Sequence, residues 1–235
     1  MVINNESVIS ICLPSKGREA RLNQMIQSAV KLASKPELLE FCIYLDQNDE
    51  FDPIELLPAH FKIIRGPRLP TSTMTNLAYA LSSGEILMYA ADDILFRTLN
   101  WDDLIRRHFI VFEDGICLVY GNDCSPNASR LATHGFVTRT WTDAVNFLLP
   151  TRFESEFCDK WLSDVSKKLH RKLYLPDLII EHFHPSWGKA EIDQTYEFRA
   201  ARYNHFYLSF IYVATYFDRK RDVNILKKLK SWPSK

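Results

Sequence analysis

Ser82-Ser83-Gly84-Glu85-Ile86-Leu87-Met88-Tyr89-Ala90-Ala91-Asp92-Asp93 is the stretch on which the reading of this chain turns. A turn of small residues leads into an apolar run, Ile86 to Ala90, that ends on two carboxylates. A strand with no polar face is one covered on both sides, as in a parallel sheet. The helical spacing of Met74, Leu77, Ala78 and Leu81 just before it, ended by Gly84, supplies the crossover that such a strand needs.

The same alternation extends towards the N-terminus. Val8 to Leu13 reads as a strand stopped by Pro14 and a Ser-Lys-Gly turn. Leu22, Met25, Ile26, Ala29, Val30 and Ala33 mark an amphipathic helix over 21–33. Strands follow at Phe41–Leu45, closed by Asp46, and at Phe61–Ile64, broken by Gly66-Pro67. Strand, helix, strand in this order predicts an α/β fold with right-handed crossovers and a mostly parallel central sheet flanked by helices. Ligands of such sheets sit beyond the carboxyl ends of the strands. Pro14 to Arg18, Asp46 to Asp49, Arg65 to Arg68 and Asp92-Asp93 should therefore face one shared site.

Beyond residue 120 the pattern changes. Asn100, with Asp103 three residues on, reads as the capped start of a helix through Phe112. Ile116–Tyr120 reads as a strand before a polar loop, Gly121 to Arg130. Phe157, Trp161, Leu162, Val165 and Leu169 form another helical stripe, and Leu178 to His184 a late strand. From about Glu197 the chain is aromatic-rich and expected to be helical, and its last stretch, from Asp218, holds seven Lys or Arg against two Asp. The simplest organisation is one domain over 1–195 with a helical extension at 196–235.

Composition narrows the class. The 235 residues are 46% hydrophobic and 25% charged, with 29 Lys plus Arg balancing 29 Asp plus Glu. That excludes a strongly basic nucleic-acid binder and an acidic disordered chain as global descriptions. No apolar run reaches the roughly 20 residues of a membrane-spanning helix. The five cysteines have no CxxC spacing and the first residues lack the pattern of a secretory signal, so a soluble, cytoplasmic protein with reduced thiols is expected.

Paired carboxylates at a strand end can hold a hard divalent cation that in turn holds phosphate oxygens, although acids are also common in turns. In a strand His182 and His184 would point the same way, and a neutral imidazole can complete the coordination of manganese. An ordinary pair of core or surface histidines is the bland alternative. Asp159 lies off the stripe of Phe157, Trp161 and Val165, so it faces a cleft or simply water.

The run from Ser82 to Asp93 resembles the small-Gly-acid, apolar strand, Asp-x-Asp segment of family-2-like glycosyltransferases with the GT-A fold. Val8 to Arg18 is similar to that family's first strand and its P-x-x-x-R nucleotide loop, so the resemblance spans residues 8 to 100. It implies a nucleotide-binding half over 1–100 and an acceptor-side half over 101–195. It also implies transfer of a sugar from a nucleotide-diphosphate sugar, with a uridine diphosphate donor expected, to a hydroxyl acceptor with Mn2+ or Mg2+. Pro14, Ser15, Lys16, Arg18, Asp46, Asn76, Asp92 and Lys189 would meet the nucleotide sugar. Asp93 would bind the metal with His182, or His184 as substitute. Asp159 would be the catalytic base, with Glu156 and Glu154 in reserve. Trp187-Gly188-Lys189 would form a mobile lid. Alanine at position 91 replaces the first Asp of the family motif, and Cys158-Asp159 replaces Glu-Asp. The acceptor could be a surface glycan, a lipid-linked sugar or a hydroxymethylated base in phage DNA. A non-catalytic nucleotide-sugar-binding module is the alternative. A nucleotidyltransferase fits less well, because its Gly-rich loop is absent after the first strand.

Overall fold

A computed structural model describes residues 2–54, 56–202 and 204–230. An eight-stranded sheet runs through it in the order β3-β2-β1-β4-β7-β6-β8-β5. Its first half is the predicted parallel block: β1 (Ile9–Ser15), β2 (Leu39–Asp46), β3 (His60–Gly66) and β4 (Ile86–Tyr89). The helices α1 (Glu19–Leu32) and α2 (Thr71–Ala80) make the crossovers.

The apolar runs alternate between two cores, as strands covered on both faces must. Ile9, Ile11, Leu13, Ile43 and Met88 turn towards α1 and α3 (Trp101–Ile110). Cys12, Cys42, Tyr44, Leu87 and Tyr89 turn to the opposite core, where Ala78 of α2, Trp141 and Trp161 lie. Arg106 and Asp102 are fully buried in α3 and held together at 2.7 Å, and Asp102 also accepts from the backbone N–H groups of Ser34 and Lys35.

Several expectations need correction. Pro14 does not end β1, which runs to Ser15. Ala90 N–H donates to Cys12 O, the last bond from the β4 side, so β4 has already ended where Pro14 lacks an N–H. Asn100 makes no side-chain cap: it sits at φ 55, left-handed backbone that asparagine tolerates, and Asp103 turns to Arg106 instead. The late strand begins earlier, as β8 (Lys172–His182), and stops before His184. It bulges around Pro176, where its register with β6 (Leu118–Asn122) jumps from Leu175 opposite Gly121 to Ile179 opposite Asn122.

Unanticipated from the sequence are β5 (Ile94–Phe96), β7 (Gly135–Thr138) and α4 (Arg139–Val145). β7 joins antiparallel to β4 and carries the sheet across to β6 and β8. The C-terminal part is helical: α6 (Gln194–Arg202), α7 (His205–Ala214) and α8 (Tyr216–Leu229). α8 is seated on α5 (Cys158–Lys168), where Trp161 Nε1 donates to Asp222 Oδ2 at 3.0 Å and Arg219 Nε to Asp164 Oδ2 at 2.9 Å. Tyr203 and Lys235, part of the tail's pattern, lie outside the described residues. No helix among the described residues is long and apolar enough to cross a membrane.

Candidate functional site

Because β1, β2, β3 and β4 are parallel, their carboxyl ends meet on one edge of the sheet, and a cleft of about 1050 Å³ opens there. Its lining brings together most of the candidates from the sequence: Pro14, Ser15, Lys16, Arg18 and Asp46 on the β1–β2 side, Asp92 and Asp93 beyond β4, His182 and His184 at the end of β8, and Glu156 and Asp159 at the start of α5.

Two candidates stand elsewhere. Asn76 spends its side-chain amide inside the wall, donating to Leu149 O at 2.7 Å and accepting from the N–H groups of Leu148 and Leu149. Lys189 donates to Glu181 at 2.8 Å beside a separate small cavity. In the lid segment, a 3-10 turn over Pro185–Trp187 leads to Gly188 at φ 67, and the Trp187 ring lies against His182 and His184. Among the predicted strand-end cations, Arg65 folds back on Asp49, Phe51 and Asp52, whereas Arg68 reaches the cleft wall.

The two strand-end carboxylates are buried and differently held. Asp92 accepts from Ser15 Oγ at 2.8 Å and from Arg18 at 2.9 Å. Burial and then the charge of Asp93 push it up to about 6, against the pull of Arg18 and Ser15. Burial also works against ionisation of Asp93, but His182, Tyr196 and Arg18 together outweigh it and hold the group well below the usual carboxylate range. Tyr196 Oη donates to Asp93 Oδ2 at 2.5 Å, and His182 Nε2 lies 3.3 Å from Oδ1. The pair thus carries one firmly ionised carboxylate beside one that is easily protonated.

Arg18 is the hub of this cluster. Beyond its bond to Asp92 it grips Asp193 with two nitrogens, at 2.7 and 2.8 Å, and lies over the Tyr196 ring. Asp193 and Tyr196, at the start of α6, were not foreseen, and neither was a strap from so late in the sequence closing over Arg18 and Asp93. On the β2 side Lys16 donates to Asp46 at 2.8 Å, and Gly17, at φ 62, turns its N–H to Asp49.

Asp123 and His134 were also missed. Asp123 follows β6 and His134 precedes β7, and the His134 ring meets the His182 ring edge-on at 4.7 Å. Burial and then the neighbouring His182 push the His134 imidazole down to about 3, so it is neutral at any physiological pH. The strand-end rule applied to β6 would have found Asp123. Nothing local marks His134, since β7 itself was not legible.

Asp159 lines the same cleft from the N-terminal turn of α5, where Oδ1 accepts from the N–H of Lys160 at 2.7 Å. Burial raises it to about 6, with the charge of Glu156 adding to the shift and that bond opposing it.

A metal fits this donor set at one point. Asp93 Oδ1 is a buried carboxylate oxygen in the cleft wall that no donor bonds with good geometry, its neighbour being His182 Nε2 at 3.3 Å. No three His, Cys, Asp or Glu among the described residues are grouped as a cage. Such a site suits a hard cation that takes its other ligands from water and substrate phosphates.

No protein-family model matches the sequence, and no curated protein is matched by it. The structure is similar to mannosyltransferase PcManGT from Pyrobaculum calidifontis in complex with GDP-Man and Mn2+, with a TM-score of 0.59 and 11% identity over 97% of this chain and 76% of that one. It is also similar to S. aureus TarS 1–349 in complex with UDP, with a TM-score of 0.53 and 12% identity over 74% of this chain and 59% of that one. For the same TarS fragment with UDP-GlcNAc the TM-score is 0.52, at 11% identity over 79% of this chain and 62% of that one. At these identities the likeness is one of fold: the chain has a GT-A-like glycosyltransferase fold.

Proposed function

We propose that this chain is a metal-dependent glycosyltransferase that moves a sugar from a nucleoside diphosphate to a hydroxyl acceptor. The observation that carries the reading is that one cleft holds both Asp93, kept ionised with one oxygen facing only His182 Nε2, and Asp159, a carboxylate raised towards neutrality. The fold shared with nucleotide-sugar enzymes supports it.

In this reading Asp46 and the backbone after β1 receive the nucleoside, and Lys16 and Arg18 supply positive potential to the diphosphate. Asp93 would hold the divalent cation, with His182 or His184 alongside. That cation, Mn2+ or Mg2+, would offset the charge that collects on the departing diphosphate. Asp159 accepts the proton of the acceptor hydroxyl as its oxygen bonds to the sugar carbon and the bond to the diphosphate breaks. A base must be ionised yet basic enough to take the proton, and a group near 6 meets both needs better than one near 4. Direct displacement of this kind inverts the sugar carbon. Glu156, which also lines the cleft, is the reserve base.

Calorimetry with UDP and with GDP, each with and without Mn2+, tests the reading. Metal-dependent binding of at least one nucleotide is expected. Asp93→Asn should weaken it at least about tenfold, or about 1.4 kcal/mol, while circular dichroism stays unchanged. Binding of neither nucleotide, or binding indifferent to both Mn2+ and Asp93, overturns it.

A further inference from the structure

The C-terminal helices carry a surface that the proposed chemistry does not use. Phe206, Phe210 and Val213 follow one another at spacings of four and three, which places them in one row along α7, and Phe217 continues the exposed apolar surface at the start of α8. They are 84, 65, 71 and 76% exposed. From Asn204 to Phe217 the sequence contains no Asp, Glu, Lys or Arg. An uncharged run of about 10–14 residues is ordinarily a core helix or an interfacial one. Here the outward row is bare, so the first explanation fails.

Nor is the row waiting to turn inward. The opposite side of the same helices is already seated: Leu208, Ile211 and Tyr212 border the core built around Trp161. Arg219 lies on the Tyr212 ring at 3.7 Å and donates to Asp164. A contiguous apolar row on an anchored helix marks a surface that meets something else.

Charge indicates what. Just past the row, the exposed Lys220, Lys227 and Lys228 lie on α8. Both acids of that helix are engaged, Asp218 with Arg152 at 3.3 Å and Asp222 with Trp161 and Arg221. A second copy laid on the row would bring no acidic partner for these lysines from the row itself. Aromatic side chains next to lysines match instead the boundary between acyl chains and anionic headgroups.

We propose that the α7–α8 face docks on an anionic lipid bilayer, with Phe206, Phe210, Val213 and Phe217 entering the interface and Lys220, Lys227 and Lys228 meeting the headgroups. The inner side of α7 contributes Tyr207, Leu208 and Ile211 to the cleft, so a bilayer on this face lies beside the mouth of the site.

The test is co-sedimentation of the full chain with phosphatidylcholine vesicles and with vesicles carrying phosphatidylglycerol, run beside size-exclusion chromatography. Binding to the anionic vesicles is expected, at least about tenfold weaker on the neutral ones and weakened by salt. The combined variant Phe206→Ser, Phe210→Ser, Phe217→Ser should abolish it while leaving the melting temperature and nucleotide binding in place, because these side chains are outside both cores. Lys220→Glu with Lys227→Glu and Lys228→Glu should remove the preference for anionic lipid. No sedimentation with either vesicle overturns the proposal. So does equal binding by the serine variant, or a concentration-dependent dimer that the serine changes dissolve without any lipid binding.

Discussion

Replacing Asp159 by asparagine separates the burial of this carboxylate from its use. Burial raises Asp159 from 3.8 to about 6, so the folded protein favours the protonated form. The wild-type chain should therefore lose stability relative to the variant as pH rises from 3.8 to about 6, and the deficit should stay constant above that interval. At about 1.4 kcal/mol per pH unit the interval corresponds to at most about 3 kcal/mol. Part of the side chain meets solvent, which screens the effect, so about 1–2 kcal/mol is the expected gain for Asp159→Asn at pH 7. Below pH 3.8 the two proteins should unfold alike. Urea unfolding of both proteins from pH 3.5 to 8 reads this directly and needs no knowledge of the substrate.

Turnover gives the second half of the test. A base that titrates near 6 is only about a tenth ionised at pH 5, whereas one at the ordinary value of 3.8 would be almost fully ionised there. Nucleotide release from a hydrolysed donor should accordingly fall about tenfold from pH 7 to pH 5. Asp159→Asn should cut the rate about 10²–10⁴-fold and remove that acid limb, with nucleotide affinity kept. A stability advantage of the variant over wild type that is no larger at pH 7 than at pH 3.5, together with an unchanged acid limb, would refute both the shift and the role.

Two further substitutions test the frame that holds the site. Asp102→Ala leaves the buried Arg106 guanidinium with only the longer contact to Asp103, at 3.3 Å, and Ser7 O, and strands the N–H groups of Ser34 and Lys35. About 3–5 kcal/mol of stability should be lost, read as a lower urea midpoint. At Gly84 an added Cβ would come within 2.7 Å of Val8 O and 3.0 Å of Ser10 N, both backbone atoms of the neighbouring segment. Gly84→Ala should therefore destabilise by about 1–3 kcal/mol and shift β4 against β1, while an unchanged thermal midpoint would count against the close approach.

What the sequence made legible follows from how far each determinant reaches. The parallel block was readable because Ile9 to Leu13, Leu39 to Leu45 and Ile86 to Tyr89 are buried on both faces, and such runs declare themselves within a few residues. Topology then placed their carboxyl ends together, so Ser15, Asp46 and Asp92 could be assigned to one cleft before any contact was known. β5 and β7 are three and four residues long, too short for a period to emerge, and His134 was lost with β7. The strap was hidden for another reason. Tyr196 and Asp93 are 103 positions apart, and Arg18 and Asp193 175, so neither partner alters the local pattern of the other.

That difference in reach bears on the chemistry. The residues legible from strand ends are those on which a diphosphate and a cation could be received. Two that were not legible, Tyr196 and Asp193, bear on the charge of the first group: Tyr196 joins His182 in keeping Asp93 ionised, and Asp193 fixes the guanidinium that Asp92 also needs. A short local segment can supply a carboxylate, but its ionisation is decided by groups the chain must fold to bring near it. Asp92 and Asp93 are adjacent in sequence and almost equally buried, yet they are displaced in opposite directions, and their long-range partners account for the difference.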